Sequence, residues 1–263
     1  MLWQFSFFRY AVGISFVLSI LFALISFIIV VRKLSFLAVG TEHAAFGGVG
    51  LAKFLGWNVF PVTLGFSMLL TVLAGLSSKK SHLTPETNTS LLFSAAMAFG
   101  TMLFSLNRGS GFNLMGFLFG DIIGITHTDL ITAVILTSIV IFIIVPAFGK
   151  IIYLSFDRQG AIVAGANSDL WDTLVYAALS ASIVLGIKLV GVLLVAAMTV
   201  LPAAFALLWK KNTIRTLMIA FCFTLFSMLT GVLLSFVWDI APGSLIVAVA
   251  VVIYFAACQL VRQ

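Results

Sequence analysis

Nine apolar runs, each near the length that crosses a bilayer as helix, fill most of this chain: 9–31, 34–56, 58–77, 89–107, 128–149, 170–189, 191–209, 214–237 and 243–261. A hydrocarbon core takes about 20 residues of helix. Lipid offers the backbone no hydrogen bonds, so each crossing must satisfy its own. Composition agrees: 62% of residues are hydrophobic and 8% are charged, where a soluble domain has about a quarter charged. The sequence therefore predicts an all-α, polytopic transmembrane bundle of about 8–9 spans, forming a single domain over 1–263. The count is open around Gly191, where one member can be a half-helix packed against protein.

Lysine and arginine orient the bundle. With the N-terminus outside and the runs alternating, Arg32, Lys33, Lys79, Lys80, Lys150, Arg158, Lys210, Lys211, Arg215 and Arg262 fall inside. Arg9, Lys53, Arg108 and Lys188 fall at or near the outer face. Ten against four of the fourteen basic residues predicts N-out, C-in, because cytoplasmic loops carry the basic excess. The net charge of +6 then reports topology and carries no signal for nucleic acid. The start, MLWQFSFFRY, lacks the basic region and cleavage site of a signal peptide, so the first span is expected to be its own insertion signal. Cys222 and Cys258 lie in apolar runs and read as small buried hydrophobes, without a disulfide.

Two loops are more than connectors. Residues 108–127 are too short and broken to cross and predict a short helix at the outer surface. Residues 155–169, SFDRQGAIVAGANSD, predict a short cytoplasmic helix near 155–168, a shape a partner protein can grip; an ordinary polar loop fits the composition equally well. His82, in the polar stretch 78–90, reads as solvated. FGKI at 148–151 lacks the leading glycine and the hydroxyl of a phosphate loop, so the chain is not expected to bind ATP. No Ser-His-Asp or Cys-His grouping suggests an enzyme.

Glu42 and His43 stand out because they lie well inside a run. A charge at mid-bilayer costs about 2.5–3.5 kcal/mol on insertion scales, so such residues face protein or a water-filled path. At 100° per residue, Gly40, His43, Gly47 and Gly50 form one stripe, which predicts a closely packed neighbouring helix. Glu42 lies about 100° round from His43. The pair either fastens two helices or binds a metal ion in transit; imidazole with carboxylate suits zinc, manganese and iron. A metal site needs three or four ligands. Asp239, in SFVWDIAPGSL, is the best third ligand, or else a plain helix-end aspartate. Met198 reads as core.

The segments together resemble the membrane permease subunits of zinc/manganese/iron ABC importers. VVRKLSFLAVGTEHAAFGGVGLA is similar to that family's basic pair, Ser-aromatic step and following histidine with glycines. LFGDIIGITHTDL resembles its external loop, LVGVLLVAAMTVLPAA its Val-Gly…Pro-Ala-Ala segment, and SFVWDIAPGSLIV its last span junction with Asp239 on the family's aspartate. SFDRQGAIVAGAN resembles its coupling helix, with Asp157, Ala161 and Gly165 in step. The resemblance implies a permease homodimer in a bacterial inner membrane, working with a cytoplasmic ATPase and an extracytoplasmic metal-binding protein. It implies that residues 155–168 couple to the ATPase. It also implies a divalent metal as cargo, zinc first and manganese or iron next, with no resident cofactor. One departure matters: the family places an aspartate four residues before the histidine, and here Val39 stands there. Glu42 is the candidate replacement.

Two alternatives remain. One is a permease for a metal chelate such as iron–siderophore, whose cavity needs neither His nor carboxylate. The other is an ion-coupled secondary carrier or a structural membrane subunit, although no half-to-half repeat of the carrier kind is visible.

Overall fold

A computed structural model describes residues 6–78, 84–107, 116–117, 120 and 125–261. The described chain is helical, in the order α1 (Ser6–Val31), α2 (Ser35–Leu55), α3 (Val59–Ser77), α4 (Pro85–Leu106), α5 (His127–Phe156), α6 (Arg158–Val163), α7 (Ser168–Val190), α8 (Val192–Met198), α9 (Leu201–Leu207), α10 (Thr213–Trp238) and α11 (Pro242–Val261). The polytopic, all-α expectation holds. Seven helices are long and apolar enough to cross a membrane, and α2 matches them in length while carrying Glu42, His43 and Lys53. Most of segment 108–127, expected at the outer surface, lies outside the described residues, as does His82.

Local chemistry sets the ends. Thr84 caps α4, its hydroxyl accepting from the Thr87 amide at 3.3 Å, with Pro85 in the first turn. α4 therefore starts four residues before its apolar run. α2 stops at Gly56, which adopts a left-handed φ of 68° and lets the Trp57 amide reach the Ala52 carbonyl at 3.0 Å. α5 runs on past the apolar stretch to Phe156. The run 191–209 is broken: Gly191, at φ 85°, separates α7 from two seven-residue helices, and Pro202 sits in the first turn of the second. The half-helix expectation around Gly191 is met in this form.

Packing divides the chain into two compact units, one of 1–30, 113–138 and 185–263 and the other of 31–112 and 139–184. In the first, α10 packs on α11 so closely that a Cβ on Gly231 would lie 2.6 Å from the Ile246 Cα. The core helix α1 buries Leu18, Leu21, Phe22 and Ile29 there. In the second, α2 packs against both α3 and α4.

Candidate functional site

The site grows from α2. Its stripe of small residues faces α4: a Cβ on Gly47 would meet the Ala96 carbonyl oxygen at 2.7 Å, and one on Gly50 would stand 3.0 Å from the Gly100 Cα. Backbones this close tolerate only glycine. On the next face, a Cβ on Gly48 would lie 2.8 Å from the Thr63 Cα, and the Thr41 hydroxyl meets that of Thr71 at 2.9 Å, which seats α3.

His43 sits on the α4 side, half-buried, its ring edge-on to Phe93 with centroids 4.0 Å apart. Its Nδ1 lies 2.9 Å from the Val39 carbonyl. A carbonyl can only accept, so in the neutral ring Nδ1 carries the hydrogen and Nε2 keeps its lone pair. Nε2 is then the nitrogen able to accept a hydrogen bond or bind a metal. The Val39 side chain, on the same face one turn earlier, is exposed.

Glu42 lies elsewhere on the helix, with Ala38, Ala45 and Val49, all buried. Its side chain is 3% exposed, and its Oε1 has no hydrogen-bond partner. Buried polar atoms are nearly always paired, and each exception calls for a reason. Some buried polar groups in this unit have partners within the helix: Thr41 donates to Leu37 and Thr71 to Ser67. The hydroxyls of Thr63, Ser67 and Ser180 and Nη1 of Arg32 share the orphan state with Glu42.

Asp239 ends α10 in a left-handed conformation, φ 54°, that aspartate tolerates. It is exposed and belongs to the other compact unit. Among the described residues, no three His, Cys, Asp or Glu side chains form a group that could hold a metal ion.

The predicted cytoplasmic helix exists as α6. Asp157 caps it, accepting from the Gly160 amide at 2.8 Å. Gly165 closes it at φ 84°, with the Ala166 amide on the Ala161 carbonyl at 2.9 Å. Ala161 is completely buried within the protomer, and Gly165 is required by its backbone angle. Their smallness thus already has an internal cause. The surface α6 offers is Ile162 and Val163, the latter 89% exposed, with Phe156 at the end of α5 exposed as well.

Sequence reasoning missed one cluster. Asp172, near the start of the apolar run 170–189, is completely buried and pairs with both Arg32 and Arg158. A basic residue at one run's edge and an acid near the start of another hint at burial, but nothing in the sequence pairs them.

The full length of the chain bears on what this arrangement serves. Residues 4–261 match the family model described as the ABC 3 transport family. The chain is 30% identical over 250 residues to a Thermotoga maritima protein named "Probable metal transport system membrane protein", covering 95% of this chain and 88% of the other. It is 28% identical to the manganese transport system membrane protein MntC of Listeria monocytogenes, covering 97% and 91%. Its fold is similar to that of a chain in the structure titled "PsaBC from Streptococcus pneumoniae in complex with Fab", with a TM-score of 0.85 at 24% identity over 97% of this chain and 92% of that one. This chain belongs to the ABC 3 transport family and is a multi-pass membrane transport protein.

Proposed function

From that membership we propose that the chain is the permease of an ATP-driven importer of divalent transition metal ions, with manganese the first cargo to test. The observation that carries the proposal is on α2: an imidazole whose Nδ1 faces the Val39 carbonyl, leaving Nε2 for a ligand, and, on another face of the same helix, a buried carboxyl group with an unpartnered oxygen. An unsatisfied carboxylate costs stability, and an ion in transit gives it a purpose. The donor set suits manganese, iron and zinc alike. The similarity to a protein named for manganese transport moves manganese ahead of zinc.

Glu42 and His43 supply too few ligands for a tight site, which suits a transit station. Two copies of the chain would double the set, and Asp239 is the candidate for a further, outer ligand. The ten-to-four basic bias supports a cytoplasmic α6, where Ile162 and Val163, with Phe156 at the end of α5, would meet an ATPase subunit, Asp157 and Gly165 fixing the ends of α6. An extracytoplasmic binding protein would deliver the ion.

Reconstitution into vesicles with the ATPase and the binding protein tests this. The expected result is ATP-dependent uptake of radioactive manganese, with zinc and ferrous iron as graded competitors. Uptake that proceeds without the ATPase would make the chain a secondary carrier. Uptake confined to ferric chelates would make it a chelate permease.

A further inference from the structure

One carboxylate ties three parts of the second compact unit together. Asp172, completely buried in the second turn of α7, accepts from Arg32 through Oδ1 and from Arg158 through Oδ2, the latter at 2.9 Å. Arg32 lies in the connection 32–34 that leads into α2. Arg158 is the first residue of α6.

A buried carboxylate needs one cation, and Arg32, with a side chain 7% exposed, provides it. Arg158 is a second partner to the same carboxylate and also lies 3.8 Å from the exposed Asp169, while Nη1 of Arg32 is left buried without a partner. What Arg158 adds is a connection. Beside the buried Ala161 and the turn at Ala166, it fastens α6 to Asp172 on α7, which in turn holds Arg32 at the base of α2. From Ser35 to His43 is eight residues, about 12 Å along the helix axis.

We propose that Asp172 is a positioning residue that transmits displacement of α6 to the base of α2. An ATPase pulling on α6 would then move the helix that carries Glu42 and His43. This rests on the reading of the chain as an ATP-driven permease.

The test counts manganese ions taken up per ATP hydrolysed in vesicles containing the permease, ATPase and binding protein. Arg158→Gln is the variant of choice because it leaves the neutral Arg32–Asp172 pair in place. It should assemble with the ATPase and hydrolyse ATP, while ions per ATP fall by about fivefold or more, the lower end of measured coupling between sites. A purely structural role would lower the amount of folded permease and leave this ratio unmoved. Asp169→Asn, which removes the exposed carboxylate 3.8 Å from Arg158, should leave the ratio as it was. A wild-type ratio in Arg158→Gln overturns the proposal. So does loss of the ATPase from the Arg158→Gln complex, since Arg158 would then be a docking contact. Neither result touches the permease reading, which falls only if the unaltered chain takes up metal without ATP.

Discussion

α1 and α2 follow one another in the chain, are both largely buried, and treat polar groups in opposite ways. α1 buries Ser15, Ser19 and Ser26, and each hydroxyl donates to a carbonyl of its own helix, at 2.8, 2.6 and 3.3 Å. Ser19 also lies 3.6 Å from the Met228 sulfur. Such groups can sit in an apolar core at little cost, because the helix itself answers them. α2 buries Glu42, whose reach and charge its own helix does not answer. Hydroxyls on other helices, at Thr63, Ser67, Thr137, Ser180 and Ser227, are also buried without a partner, so what sets α2 apart is that its orphan is a carboxyl group.

The sharpest way to break this comparison is to deny α2 its close packing. Gly50→Leu puts a side chain where the Gly100 backbone stands 3.0 Å away. It should cost about 3 kcal/mol, the upper end for overpacking a core, seen as loss of folded, detergent-stable protein. A Leu at Gly65, where a Cβ meets nothing within 4 Å, is the control that should leave yield unchanged.

A smaller effect sharpens it. Glu42→Met keeps the length of the side chain and removes the orphan oxygen. It should raise stability by about 1–3 kcal/mol, the cost of an unpaired buried polar group, while reducing metal uptake. Ser19→Ala should shift stability by about 1 kcal/mol or less and leave uptake alone. Thermal unfolding in detergent and uptake per folded molecule separate the two; a Glu42→Met protein that is less stable would show that the carboxylate fastens the fold.

Much of this was legible in the sequence, for physical reasons that differ by element. Apolar run length gave the crossings, because lipid permits few alternatives. The Gly40–Gly50 stripe foretold a close neighbour, since glycine spacing at helical period has one main use in a membrane. The break at 191–209 was visible as a Gly and a Pro inside an apolar run, although which half would shorten was not. The span limits missed the cap at Thr84-Pro85, which starts α4 before its apolar run, and the extension of α5 beyond residue 149, where the pattern turns mixed. The Arg32–Asp172–Arg158 cluster was out of reach, because its members are 140 and 14 residues apart and periodicity does not report such meetings. The roles given to Ala161 and Gly165 show the same limit. A small residue in a predicted helix looks alike whether it makes room for a partner, a neighbouring side chain or a left-handed backbone angle.

The central claim is that α2 carries the ion, and His43 is its most exposed commitment. The direct measurement is initial uptake of radioactive manganese into vesicles by His43→Ala, normalised to folded permease and to ATP hydrolysed, with the ATPase and binding protein present. The account predicts uptake near background while assembly and ATP hydrolysis persist. Uptake at the unaltered rate per folded molecule would contradict it and leave His43 as a side chain that merely packs α2 against Phe93.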